Sequence, residues 1–151
     1  MLKEFIEVPG KVSVCLRGPD GKIKDRQVID NLVVTVGRQH IADQMSGQAQ
    51  SAMTHKAIGT GTTVQVDTDT QLVTELSRLA FTSKSQGSGA DANKVIYVCE
   101  WAPGVGTGAI TEAGIFNASS SGVMLCRTTF DVKNKGVGDS LTLTWTISFN
   151  A

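Results

Sequence analysis

The segment 140–150 alternates apolar and hydroxyl-bearing side chains, and it is the feature that most constrains the fold of this chain. Threonine or serine occupies every even position from 140 to 148, and large apolar residues occupy the odd positions. A period of two places these sets on opposite faces of a β-strand, whereas a helix would mix them. We therefore predict a strand with one buried face, whose core residues include Leu143, Trp145, Ile147 and Phe149.

Turn signals divide the rest of the chain into further short apolar runs. The segment Gly18–Gly21 combines glycine, proline and aspartate as tight turns do, so the alternating residues on either side predict a β-hairpin over 11–30. Such runs recur along the chain and give about eight or nine strands. The pattern predicts a single all-β domain over 11–151, with β-sandwich or jelly-roll-like architecture.

One segment departs from the strand pattern. Over 37–46 the spacing of apolar residues becomes that of a helix, with Ile41, Ala42 and Met45 on one side and polar residues elsewhere. Gly47 follows at the position where glycine commonly ends a helix. We predict one short amphipathic helix within the all-β domain.

Residues 1–10 precede this domain and allow two interpretations. Four apolar side chains, interspersed with charged ones, make these residues candidates for contact with a partner: Leu2, Phe5, Ile6 and Val8. As an N-terminal arm, the segment would add a strand to the exposed sheet edge of a neighbouring subunit. As an edge strand, it would belong to its own domain. The sequence leaves both interpretations open.

The charge balance excludes several classes of partner. Lysine plus arginine and aspartate plus glutamate each total 14, so the net charge is zero. A neutral chain lacks the basic surface that nucleic acids and anionic membranes attract. No apolar run approaches the roughly 18–20 residues of a membrane span, and the first ten residues lack the apolar core of a signal peptide. We therefore expect synthesis in a cytosol, without nucleic-acid or membrane partners.

Neither the cysteines nor the aspartates follow a metal-binding pattern. Cys15, Cys99 and Cys126 lie in apolar, strand-like runs without a C-x-x-C pair, which predicts buried free thiols. Asp67 and Asp69 lack the further ligands, at the required spacing, of an EF-hand calcium site. We predict instead that Asp69 or Thr70 caps a short helical turn that continues through Leu72, Glu75 and Leu76. No metal, cofactor or small-molecule substrate is expected.

Acidic residues are the remaining candidates for chemistry. Two of Glu75, Glu100 and Glu112 could supply the carboxylate pair of a glycosidase. An enzyme such as a depolymerase, based on Glu100 and Glu112, is therefore a third-ranked hypothesis. Ion pairs of Glu75 and Glu112 with Arg78 and Arg127 would explain the same charges without catalysis. The structural interpretation is favoured, and the chain is predicted not to be an enzyme.

Five short blocks occur in a fixed order along the chain. They are Ala-Ile-Gly-Thr-Gly-Thr-Thr at 57–63, Asp-Thr-x-Leu-x-x-Glu-Leu-x-Arg at 69–78, Ile-Thr-Glu-Ala-Gly-Ile-Phe-Asn at 110–117, Cys-Arg-Thr-Thr-Phe at 126–130, and Lys-x-x-x-Asp-x-Leu-Thr-Leu-Thr-Trp-Thr-Ile-x-Phe at 135–149. In this order the blocks resemble small virion structural proteins of tailed bacteriophages. The likeness is to head-decoration (cement) proteins and to tail-fibre and tail-collar domains.

The resemblance implies a non-enzymatic β-sandwich module that assembles symmetrically, often as a trimer, on other virion proteins. It implies that Gly59, Gly61, Gly114 and Gly136 serve turns or close backbone approach. The absence of heptads or a collagen-like shaft favours a capsid decoration protein that binds the outer head surface. Its partners would be the major capsid protein and copies of itself. The alternative is a tail, collar or tail-fibre component that attaches to the host surface.

Overall fold

A computed structural model describes residues 6–48 and 50–150 of the chain. The strands and the helix are β1 (Gly10–Arg17), β2 (Ile23–Val33), α1 (Thr35–Met45), β3 (His55–Gly59), β4 (Glu75–Ala80), β5 (Ser83–Gln86), β6 (Lys94–Trp101), β7 (Gly108–Phe116), β8 (Met124–Lys135) and β9 (Ser140–Ser148). A single 3-10 turn lies at Gly89–Asp91. The all-β class and the short helix are confirmed.

All nine strands form one antiparallel sheet, in the order β4-β3-β7-β8-β2-β1-β9-β6-β5. The sheet curls because β2 belongs to two halves: residues up to Asn31 pair with β1, and Leu32 and Val33 pair with β8. We call β2, β1, β9, β6 and β5 the first layer, and β4, β3, β7 and β8 the second. Phe81 and Thr82 connect the two end strands of this order, β4 in the second layer and β5 in the first.

The core lies between the two layers. Along β9 the odd residues point inward, and Leu143, Trp145 and Ile147 are at most 2% exposed, while Phe149 is half-buried against the same core. Pairing aligns Trp145 with Val12 of β1, so neighbouring strands present their apolar residues to the same side. The alternation of residues 140–150 therefore corresponds to the central strand of the first layer.

Helix α1 begins two residues before the predicted segment and packs against β8. A Cβ atom on Gly37 would lie 2.1 Å from the carbonyl oxygen of Leu125, so only glycine allows this close approach. The buried side of the helix consists of Gly37 and His40, with Ile41 facing the core. Met45 is 81% exposed, which corrects the predicted apolar side.

The predicted helical turn over 70–76 does not form. Residues 60–74 are irregular, and β4 begins at Glu75. Asp69 caps a turn instead: its carboxylate accepts a hydrogen bond from the N–H of Val66, whose carbonyl accepts the N–H of Asp69. Backbone N–H groups of this segment bind a carboxylate of the second layer, which competes with helical hydrogen bonding.

The described part of the N-terminal segment lies against its own domain. Glu7 pairs with Asn150, and the half-buried Val8 packs on the core. Ile6 is 70% exposed. Leu2 and Phe5, the other two candidates for partner contact, lie outside the described residues. The three cysteines are buried and free, as the sequence predicts.

Candidate functional site

Residues 60–74, here called the covering loop, cross the outer face of the second layer. Leu72 inserts into a small apolar cluster with Ala57, Phe116 and Met124 on that face. Further along the loop, the side-chain oxygen of Gln65 accepts hydrogen bonds from both the N–H and the hydroxyl of Thr129 in β8. The loop is therefore packed on the sheet at both apolar and polar points.

Glu112 of β7 fixes the covering loop from below. Its side chain is fully buried, and its carboxylate accepts hydrogen bonds from the N–H groups of Gly61, Val73 and Thr74 at 2.8–3.0 Å. These donors come from the two ends of the loop. One buried carboxylate thus satisfies three backbone groups that would otherwise lack partners.

Arg127 of β8 completes the site beside Glu112. Its guanidinium is fully buried and donates twice to one oxygen of Glu112, at 2.9 and 3.0 Å. It also donates to the carboxylate of Asp69 at 2.9 Å and to the carbonyl of Thr63 at 2.7 Å. We call Asp69, Glu112 and Arg127 the anchor cluster.

Hydrogen bonding determines the protonation of Glu112. Burial alone would raise the pKa of this carboxyl group. Donation from the N–H groups of Thr74 and Val73, from Arg127 and from the N–H of Gly61 outweighs burial and holds its pKa below the ordinary value. Glu112 is therefore ionised at neutral pH, and the ion pair with Arg127 persists.

Two glycines allow the loop to approach the anchor cluster. A Cβ atom on Gly59 would lie 2.3 Å from the carbonyl oxygen of Thr74, and one on Gly61 would lie 2.5 Å from a carboxylate oxygen of Glu112. Any larger residue would push the loop off the sheet. The predicted role of these glycines in close backbone approach is confirmed.

Four of the five sequence blocks meet at this site. Glu112 belongs to block 110–117, Arg127 to block 126–130, Asp69 to block 69–78, and the N–H of Gly61 to block 57–63. The sequence predicted ion pairs among Glu75, Glu112, Arg78 and Arg127, without assigning partners, but it did not predict the loop that Glu112 and Arg127 hold. The sequence signal for this loop was the pair Gly59 and Gly61 ahead of a run of polar residues. A backbone can approach a buried carboxylate this closely only where it carries no side chain.

The covering loop and the strand that follows it expose apolar side chains on their outer side. Val64 is 68% exposed, Val66 52%, Val73 53% and Leu76 44%. These four exposed apolar side chains lie within thirteen residues of the chain, which makes the loop a candidate contact surface. Because the anchor cluster fixes the backbone beforehand, a partner would meet an ordered surface and pay little entropy to order it.

A second ion pair ties β4 to the 117–122 turn. Arg78 makes two hydrogen bonds to Glu75 at 2.7 and 2.9 Å, lies 3.7 Å above the ring of Phe116, and donates to the carbonyls of Ala118 and Ser121. The sequence predicted ion pairs for Glu75 and Arg78 without assigning the partners. A polar cleft of about 590 Å³ lies between this turn and the covering loop.

The outer face of the first layer is different in character. Threonines and serines of β9 lie there half-exposed, flanked by Ser13 of β1 and Val28 of β2, which is 60% exposed. Shallow depressions on this face are lined mainly by serine, threonine, arginine and lysine. It is a flat polar surface without buried charges.

The two carboxylates considered for catalysis do not come together. Glu112 lies on the outer face of the second layer, whereas strand alternation places the exposed Glu100 on the outer face of the first. Among residues 6–48 and 50–150, no group of three histidine, cysteine or acidic side chains is placed to hold a metal ion. No helix in this part of the chain is long and apolar enough to cross a membrane.

Comparison of the chain with protein-family models, with curated proteins and with solved structures found no match. Its function is therefore inferred from its own residues and their geometry.

Proposed function

We propose that the chain is a non-enzymatic structural protein of a tailed-bacteriophage particle, and that it acts as a capsid decoration protein. In this role it binds the outer surface of the head and stabilises contacts between major capsid subunits. It is made in the cytoplasm of the bacterial host and then added to the virion. The five sequence blocks support the particle assignment.

The covering loop supports a binding role in particular. The anchor cluster, in which Glu112 and Arg127 are fully buried, fixes a loop that directs Val64, Val66 and Val73 toward solvent. Burying charged groups costs free energy. The buried pair of Glu112 and Arg127 is therefore better explained by selection for a fixed loop position than by a gain in stability alone. A protein displayed in many copies needs only a modest contact surface on each copy, because weak contacts add through avidity.

A tail, collar or tail-fibre component that attaches to the host surface is the second candidate. The observation that favours it is the polar cleft beside Arg78. Hydroxyl and carboxylate groups line this cleft, including those of Thr70, Glu75 and the serines at 119–121. Such groups could hydrogen-bond to a polar ligand such as a glycan.

Locating and counting the protein on purified particles of the encoding phage tests the proposal. Labelled antibodies would locate the protein by electron microscopy, and gel densitometry would give its copy number against the major capsid protein. Hundreds of copies over the head are expected. A few copies at the tail or neck would overturn the decoration role, and absence from particles would overturn the virion assignment.

A further inference from the structure

A cavity of about 280 Å³ opens beneath helix α1, at the end of the sandwich where β9 finishes. Most of its wall is apolar, including Ile41, Met53, Leu125 and Ile147. Its rim is solvent-exposed at Met45. Its volume lies near the lower limit of small-molecule pockets, roughly 300 Å³, so it fits a slender molecule rather than a multi-ring one.

Polar groups in this apolar wall are few and specific. His40 is only 5% exposed, and its Nδ1 has no hydrogen-bond partner among the described residues. A buried polar atom without a partner costs free energy unless a water or ligand satisfies it. Gln44 and Tyr97 also line the cavity.

Charge selects between possible head groups. Lys84 lines the cavity and donates a hydrogen bond to the carbonyl of Met53 at 3.0 Å, and no acidic residue is among the described lining residues. Burial lowers the pKa of His40, although Asp43 opposes this, so its ring is neutral at pH 7 and Lys84 supplies the formal charge. The wall is thus apolar with one cation.

We propose that the cavity beneath α1 binds a single-chain amphiphile with an anionic head, of which a medium-chain fatty acid is the simplest example. The acyl chain occupies the apolar wall, and the carboxylate pairs with Lys84 and accepts a hydrogen bond from His40. This site is separate from the covering loop and does not depend on the proposed role in a virus particle.

Calorimetric titration of the full chain with octanoate, decanoate and dodecanoate, each below its micelle concentration, tests the proposal. Affinity should rise about fourfold per methylene until the cavity is full. Decyltrimethylammonium, which has the same chain length and the opposite charge, should bind much more weakly than decanoate. Absence of saturable decanoate binding, or equal binding of the cationic amphiphile, would overturn the proposal.

Three variants test whether decanoate binds in this cavity. Ala52→Trp, at an exposed lining position, should reduce decanoate affinity more than tenfold by blocking the cavity. Lys84→Met should reduce it about five- to tenfold while leaving decanol binding unchanged. His40→Phe should weaken decanoate binding without lowering the melting temperature, since an unpartnered polar group is replaced by an apolar one of similar shape.

Lys22→Met is the matched control for the loss of charge. Lys22 is exposed in the β1–β2 turn, at the end of the sandwich opposite the cavity. This variant should bind decanoate as the parent does. Unchanged decanoate binding by Ala52→Trp would show that the amphiphile binds elsewhere and would refute the proposed site.

Discussion

The two outer faces of this curled sheet differ in what determines their structure. The first layer presents a flat row of threonines and serines, whose positions follow from strand alternation alone. The second layer carries an irregular loop, fixed by the fully buried Glu112 and Arg127. The difference shows that a polar face needs no special device to remain exposed, whereas an irregular loop needs buried polar anchors to hold one conformation.

The most severe way to break the second face is to remove one partner of its ion pair. Arg127→Met should leave the charge of Glu112 buried and uncompensated and should reduce the free energy of unfolding by about 3–5 kcal/mol. Urea denaturation measures this loss. Hydrogen exchange should also show faster exchange of the Val73 and Thr74 amides, whose acceptor is Glu112.

The double variant Glu112→Leu with Arg127→Met sharpens the test. If the pair were only a salt bridge, apolar replacement of both partners would restore most of the stability. We expect no such recovery, because the three backbone N–H groups that donate to Glu112 lose their acceptor. Recovery to the stability of the parent would contradict the anchoring role.

A smaller effect is expected from filling the space beneath the loop. Gly59→Ala places a methyl group 2.3 Å from the carbonyl oxygen of Thr74 and should cost about 1–3 kcal/mol. Gly136→Ala is the matched control, since its nearest neighbour is the end of the Asp139 side chain at 3.2 Å. Thermal denaturation of both variants should separate them clearly, and equal melting temperatures would be inconsistent with close loop packing.

Acidification tests the same anchor without changing the sequence. The folded-state pKa of Glu112 is below its ordinary value of 4.5, so the stability it contributes is present above pH 4.5 and is lost as pH falls through the lower folded value. The stability difference between the parent and Glu112→Gln should therefore shrink below pH 4.5. A hydrogen bond from Lys24 also lowers the pKa of Asp139. Because Asp139 is present in both proteins, its contribution cancels from the stability difference. A stability difference between the parent and Glu112→Gln that stays constant below pH 4.5 would contradict the anchoring role of the Glu112 carboxylate.

The smallest effect belongs to the first layer. Thr144→Val lies on the flat outer face, where the side chain is half-exposed and makes no buried polar contact. Its unfolding free energy should stay within about 0.5 kcal/mol of the parent value. A loss as large as that of Gly59→Ala would mean that the two faces are not as different as their contacts indicate.

The sequence predicted the elements that depend on local patterns. The period of two in β9, the hairpin over 11–30 and the approximate position of α1 all follow from spacing and turn residues. Ion pairing among Glu75, Glu112, Arg78 and Arg127 was predictable because buried charges need partners, although the sequence did not show which acid pairs with which base. These features depend on neighbours in the chain or on general electrostatic requirements.

Other features required the three-dimensional structure. Residues 70–76 have helical spacing, yet Val73 and Thr74 donate to a carboxylate nearly forty positions away, and no local pattern encodes that contact. Met45 follows helical spacing but is exposed, because α1 rests on β8 through Gly37. The cavity beneath α1 likewise combines residues from six separate segments.

We propose that the covering loop forms the contact surface of a particle protein, and cosedimentation with phage heads that lack this protein tests this proposal most directly. The variant Val64→Ser with Val66→Ser is compared with Val28→Ser, a valine of similar exposure on the first layer. Both variants should melt as the parent does. The loop variant should bind at least about tenfold more weakly, and Val28→Ser should bind normally. Equal binding of the two variants, or a selective loss for Val28→Ser, would contradict the account.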